Sequence, residues 1–280
     1  MAVTTTDKLT DTVGAEVVGI DRDRLLTDDE LPGKIMAALE ANGVLVFRGL
    51  HMDPETQVAF CERLGEVDKS STYYLVPGIY RVTLDTEKNP TAEYLRGTFD
   101  WHIDGCTPTN DEPPIKATLL TAHEVAGEGG ETEFASTYAA YDDLTEEEKE
   151  RFDSLRVFHS LEASQRRVTP DPTPKQLAVW RSRGGKEHPL VWKHRTGRSS
   201  LVIGGTTDHV VGMSEDESQK LLDDLLDRAT RPERVYRHEW TVGDTVMWDN
   251  RGVLHRAAPY DPASPRDMLR TTLLGDEQIQ

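Results

Sequence analysis

Apolar residues recur along this chain in two rhythms, and each rhythm predicts a type of element. Leu31, Ile35, Ala38 and Leu39 fall on one face at helical spacing, and Asn42-Gly43 after them supplies a stop. Thr27-Asp28-Asp29-Glu30 reads as the capping box that opens this helix. Asp53-Pro54-Glu55 combines an N-cap, a proline at the first helical position and an acidic first turn. That pattern predicts a second helix running to Leu64-Gly65. Thr145 with Glu148, and Ser214 with Glu217, cap two more; the last carries Leu221, Leu222, Leu225 and Leu226. Short runs rich in β-branched and large apolar residues predict strands at 43–47, 115–121, 200–203, 245–248 and 269–274.

Strands and helices do not alternate regularly, which argues against a doubly wound parallel sheet. A mainly β architecture fits better, an antiparallel sandwich or jelly roll with peripheral helices. The Pro- and Arg-rich stretch 169–186 reads as a long loop or insertion. No repeat, low-complexity segment or linker interrupts the chain, so residues 1–280 are expected to form a single domain.

Charge narrows the function. Fifty acidic against 32 basic residues give a formal net charge of -18. Such a surface works against nucleic acid, which needs a positive face, and against an anionic membrane leaflet. No apolar run is long enough to cross a bilayer, and the first residues lack a secretory signal, so a cytoplasmic protein is expected. Two cysteines, Cys61 and Cys106, exclude a disulfide framework.

The most informative segment is Trp101-His102-Ile103-Asp104. In an extended chain, residues i and i+2 project to one face, so His102 and Asp104 can reach one point. Together they make two-thirds of the 2-His-1-carboxylate set that holds non-haem Fe(II) with open positions. His51-Met52-Asp53 has the same form, but there Asp53 is already explained as a helix cap. The third ligand must come from His51, His123, His159, His188, His194, His209, His238 or His255. His255 stands out, following a strand and an Asp249-Asn250 turn. Arg266 and Arg270, four apart in an extended stretch, face one way and suit an anion.

Several further segments join this pattern: 13–20, 43–49, 129–134, 243–251, 255–257 and 265–270. With Trp101–Asp104 they resemble, in order and over nearly the whole chain, the TauD/TfdA family of Fe(II)- and 2-oxoglutarate-dependent dioxygenases. The likeness is closer to the 2,4-dichlorophenoxyacetate dioxygenase branch than to the taurine branch. The resemblance implies a double-stranded β-helix with helices outside, and His102, Asp104 and His255 as iron ligands. It implies that Thr132 and Arg266 hold the far carboxylate of 2-oxoglutarate, and that Arg270 lies at the primary substrate. Fe(II), 2-oxoglutarate and O2 are then the cofactor and cosubstrates, and succinate and CO2 leave with the hydroxylated product. Related halogenases lack the carboxylate, so Asp104 favours hydroxylation. Family members are often dimers or tetramers, so a homo-oligomer is an open expectation.

The substrate is expected to be a small anion, an aryloxyalkanoate carboxylate first. Taurine, an alkyl sulfate or a natural-product acid suits the same arginine. Tyr73 or Tyr74, in the segment 67–83, is placed at the pocket to pack on an aromatic ring. Three other readings stand beside this one. The acidic balance and the absence of a basic stripe count against oxidative repair of nucleic-acid bases. A metal-binding jelly-roll pseudo-enzyme predicts a lost ligand, and none is lost. A zinc hydrolase needs a His-Glu-x-x-His helix that the chain lacks.

Overall fold

In the computed structural model, residues 4–6, 8–107 and 112–280 are described; the first three residues, read above for a targeting signal, lie outside them. The main sheet has seven strands in the order Thr4–Thr5, Ala15–Val18, Val44–Phe47, Thr245–Asp249, Ala117–Glu124, Asp267–Leu273 and Tyr80–Val82. All its neighbours run antiparallel except Ala15–Val18 beside Val44–Phe47. A second sheet holds Tyr236–His238, Thr132–Ser136 and Val253–Ala257.

Side chains alternate across a strand, and this alternation divides the main sheet into two faces. Leu45, Phe47, Ala117, Leu119, Met247 and Leu273 point one way, into a core shared with Leu31, Ile35, Leu39, Phe60 and Leu64 of two covering helices. Val44, Val46, Leu120, Val246, Trp248 and Met268 point the other way, onto Phe134 and Val253 of the second sheet. The apolar layer between the sheets ends at the functional site. A third core gathers Trp101, Ile103, Trp192, Leu201, Ile203 and Leu254 beneath helix Glu215–Ala229.

Local signals held where the expected hydrogen bonds are short-range. Asp53 caps Pro54–Leu64 by accepting from Thr56, Thr145 and Ser214 form reciprocal capping boxes, and Gly43 ends Leu31–Asn42 at φ 72°. Thr27 does not cap Leu31–Asn42. It ends a separate helix, Arg22–Thr27, which Asp21 caps, and its hydroxyl donates back to the Asp23 carbonyl. Glu30 stands at the N-cap of Leu31–Asn42 without a side-chain cap bond.

The stretch 169–186 is not a loop. Thr173 and Gln176 make a capping box, Pro174 occupies the first turn, and the helix Pro174–Ser182 buries Trp180. Helices carry about as many residues as strands, so the fold is mixed rather than mainly β: helices cover the main sheet's outer face and the third core. No helix among the described residues is long and apolar enough to cross a membrane.

Candidate metal centre and cosubstrate pocket

The site begins with one isolated β-bridge. His102 and His255 exchange both backbone hydrogen bonds, at 3.1 and 2.9 Å, which sets their rings opposite each other with centroids 4.1 Å apart. Alternation decides which side chains arrive: Trp101, Ile103 and Leu254 enter the third core, so His102 and His255 face the inner cavity. The bridge does not extend into a strand. Asp104 lies in a turn completed by Gly105 at φ 88°, where a Cβ would come within 2.8 Å of the Ile115 nitrogen. The expected extended pairing of His102 and Asp104 is therefore replaced by a turn that brings the carboxylate back to the histidine.

Both imidazoles then face the carboxylate. His102 Nε2 is 3.8 Å from one Asp104 oxygen and His255 Nε2 is 3.8 Å from the other. These separations are too long for hydrogen bonds, and the ligand atoms of all three lie within 4.8 Å of one another. Asp104 Oδ2 is buried with no hydrogen-bond partner, an uncompensated acceptor that a cation would satisfy. On its other nitrogen, His102 Nδ1 sits 2.8 Å from the Asp100 carbonyl. A carbonyl only accepts, so that nitrogen carries the proton and Nε2 offers its lone pair. His255 is pushed down to about 3, first by burial and then by His102, and is neutral near pH 7. Burial opposes ionisation of Asp104, yet His255, Arg270, His102 and the Thr118 hydroxyl hold its carboxyl below the usual range. Two neutral imidazoles and one carboxylate, nitrogen and oxygen donors in one cluster, fit Fe(II).

A chain of hydrogen bonds backs the carboxylate. Trp248 Nε1 donates to Asn250 Oδ1 at 3.0 Å, and Asn250 Nδ2 donates to Thr118 Oγ1 at 2.8 Å. Accepting that bond leaves Thr118 its own proton, and its hydroxyl helps hold the Asp104 carboxyl down. The Trp248 ring also lies 4.7 Å from that of His255. Both Asn250 and Thr118 escape a reading of motifs, because they meet across 132 residues of sequence.

The cavity beside the triad is lined by His102, His255, Thr132, Arg266, Arg270, Trp248 and Tyr260, with Val82, Leu95, Leu120 and Ala257 as its apolar wall. Arg266 precedes the strand Asp267–Leu273, whose register shifts at its first residues, yet both arginines reach this cavity. Arg266 is buried; Nε donates to the Gly130 carbonyl at 3.2 Å, and the guanidinium lies 4.8 Å from the centre of the Tyr260 ring. Only glycine fits at position 130, since φ is +77° and a Cβ would meet Arg266 Cδ at 2.9 Å. Arg270 rests over Tyr80, 4.7 Å from the ring centre, with Nη1 3.7 Å from Asp104.

Tyr73 is not brought to this cavity. It is 54% exposed in a turn where its backbone N–H donates to the Ser71 hydroxyl. Tyr74 turns inward instead, donating to Asp68 at 2.7 Å, and Asp68 lies within the field of Arg270. Of the other histidines, His159 and His188 meet edge-on in a separate pair, His194 packs on Trp192, and His238 pairs with Asp244. Arg166 and Arg167 sit on helix Leu161–Val168 and pair with Glu162 and Asp100. Cys106 packs in the third core with its thiol pushed up to about 12 by burial. A larger hollow of about 450 Å³, lined by Tyr94, Arg96 and Trp180, holds none of the triad. Volume alone would have pointed away from the chemistry.

Residues 5–272 match the family described as taurine catabolism dioxygenase TauD, TfdA family. The chain belongs to the TauD/TfdA family. It is 34% identical over 273 residues to an (S)-phenoxypropionate/alpha-ketoglutarate dioxygenase of Sphingobium herbicidovorans, covering 95% of this chain and 93% of that protein. It is 34% identical over 277 residues to an alkylsulfatase of Acinetobacter baylyi, covering 96% and 84%. The crystal structure of AAD-2 with Mn(II) and N-oxalylglycine superposes with a TM-score of 0.83 at 32% identity, covering both chains fully. This TauD/TfdA protein is accordingly a non-haem dioxygenase that uses Fe(II), 2-oxoglutarate and O2.

Proposed function

We propose that the protein hydroxylates a C–H bond of a small anionic substrate, an aryloxyalkanoate carboxylate first, in a single domain built as a double-stranded β-helix. The observation that carries this reading is the convergence of two histidines of the triad and two separate arginines on one cavity, with Asp104 clustered beside them, in a protein with net charge -18. His102, Asp104 and His255 hold Fe(II). Arg266 and Thr132 hold the far carboxylate of 2-oxoglutarate, and Arg270 pairs with the anionic end of the substrate. Iron with bound cosubstrate supplies the O2 chemistry that oxidises an unactivated C–H bond.

The protein's own part is placement. Arg266 is fixed by Gly130 and Tyr260 before any ligand arrives, so its guanidinium presents donors without reorganisation. Val82, Leu95 and Leu120 give the substrate's carbon skeleton an apolar wall and keep water from the reacting C–H. Arg270 beside Tyr80 and Asp104 fixes one end of the substrate near the metal position. Hydroxylation next to an ether oxygen gives an unstable hemiacetal, which separates into a phenol and a keto acid or aldehyde acid.

The likeness to a phenoxypropionate dioxygenase supports the aryloxyalkanoate reading, and the likeness to an alkylsulfatase keeps a sulfate ester as the second. Anaerobic addition of Fe(II) and then 2-oxoglutarate should raise a weak visible band. Admitting O2 with aryloxyalkanoates, sulfonates and alkyl sulfates, while following succinate, then sorts the substrate. Succinate stimulated by phenoxy acids supports the first reading. Stimulation by alkyl sulfates alone replaces it with the second, and no band from folded protein would reject the assigned ligands.

A further inference from the structure

Thr132 Oγ1 accepts a hydrogen bond from the indole Nε1 of Trp240 at 3.0 Å. An indole nitrogen only donates, whereas a threonine hydroxyl has one proton and two lone pairs. The contact therefore fixes the sense of Thr132: one lone pair is taken, and the proton must be given elsewhere. Thr132 is 4% exposed and lines the cavity with Arg266. Its backbone is pinned on both sides, opposite His238 on one strand and Ala257 on the other, so rotation of the hydroxyl is its main remaining freedom.

Trp240 is itself held firmly. Its ring meets His238 edge-on with centroids 4.4 Å apart. His238 is fully buried, with the Tyr236 hydroxyl 2.9 Å from Nδ1 and Asp244 3.4 Å from Nε2. Asp244 accepts in turn from Arg48 and from the backbone N–H groups of Gly49 and Thr241. The indole is thus a rigid donor at the end of a packed network, and none of these partners lines the cavity.

We propose that Trp240 is a positioning residue for 2-oxoglutarate. By occupying the acceptor side of Thr132, it turns the hydroxyl proton toward the carboxylate that Arg266 receives. The inference rests on the assignment of Thr132 and Arg266 to that carboxylate, and goes beyond it by naming what orients the hydroxyl. Trp248 shows a comparable arrangement at the other end of the site, where an indole N–H begins the chain that occupies a lone pair of Thr118. Each of these two threonine hydroxyls has a lone pair occupied by a donor outside it, which leaves its own proton to be given.

The test is an anaerobic titration of the Fe(II) protein with 2-oxoglutarate, read by its visible band, on a double-mutant cycle of Trp240→Phe and Thr132→Val. Trp240→Phe should raise the 2-oxoglutarate Kd about three- to tenfold, the range of one lost hydrogen bond. Fe(II) affinity should stay within about twofold, because the indole does not touch the triad. Thr132→Val should raise the Kd at least as much, and Trp240→Phe added to it should change nothing further. Independent, additive effects would overturn the positioning role, as would an unchanged Kd in Trp240→Phe. An unchanged Kd in Thr132→Val would instead overturn the assignment of Thr132, which separates the two failures. If the phenylalanine variant does not fold, benzothienylalanine at position 240 replaces the N–H by sulfur at nearly the same shape, with the same outcomes deciding.

Discussion

The two faces of the seven-stranded sheet are made by the same strands and do different work. On the outer face, Leu45, Phe47, Leu119 and Met247 meet helix side chains in a buried apolar core. Gln57 there donates to the Leu269 carbonyl and to Thr271, each at 3.0 Å, while its own neutral amide oxygen stays buried without a hydrogen-bond partner. On the inner face, Val44, Val46 and Val246 begin just as apolar, but the face ends in Thr118, Trp248 and Arg270. There the unpaired atoms belong to charged groups: Asp104 Oδ2, beside the face, and Arg270 Nε, on it, have no hydrogen-bond partner. The outer face leaves a neutral amide oxygen unpaired within an apolar core, whereas the inner face leaves charged groups unpaired beside a cavity, ready for ligands. Neighbouring residues such as Leu119 and Leu120 therefore belong to different properties of the protein.

The sharpest way to break this comparison is at the triad. His102→Ala or Asp104→Ala should abolish Fe(II) binding at stoichiometric metal while the thermal transition persists, read by metal titration and calorimetry. Collapse of the fold with the metal would show that the inner face also carries stability. The converse is Leu119→Ala on the outer face. It should cost about 2–5 kcal/mol of unfolding free energy and leave the 2-oxoglutarate Kd of the folded protein unchanged.

Arg266→Ala should raise the 2-oxoglutarate requirement by roughly thirty- to a hundredfold, the scale of a hydrogen bond to a charged group. Unchanged cosubstrate dependence would remove Arg266 from that role. A smaller effect is expected from Asn250→Ala, which cuts the chain from Trp248 to Asp104. Metal affinity should weaken about tenfold, measured by competition with a chelator, and 2-oxoglutarate affinity at saturating metal should move less.

How much of this was legible in the sequence follows the distance over which each interaction acts. Asp53, Thr145 and Ser214 cap helices through bonds to residues three positions on, so their patterns were readable. Thr173 and Gln176 carried the same signal, but the Pro- and Arg-rich setting disguised it as a loop. Thr27 showed the opposite failure: its side chain was spent within the helix that ends there. The residues that cluster at the site, His102, Asp104 and His255, were legible as types, and the family resemblance pointed to which histidine to choose. Nothing local distinguishes Tyr73 from Tyr74, and only the tertiary structure leaves one exposed and gives the other Asp68 as a partner.

The sequence alone determined the donor set, the helix caps and the alternation that gives each strand two faces, because these depend on residue type and local geometry. Tertiary structure alone decided that His102 lies opposite His255, that Trp240 reaches Thr132 across 108 residues, and that Asn250 reaches Thr118 across 132. Those contacts are made by the pairing of distant strands and by turns such as that at Gly105. No local preference encodes them, because the hydrogen-bond partner exists only once the sheets have assembled.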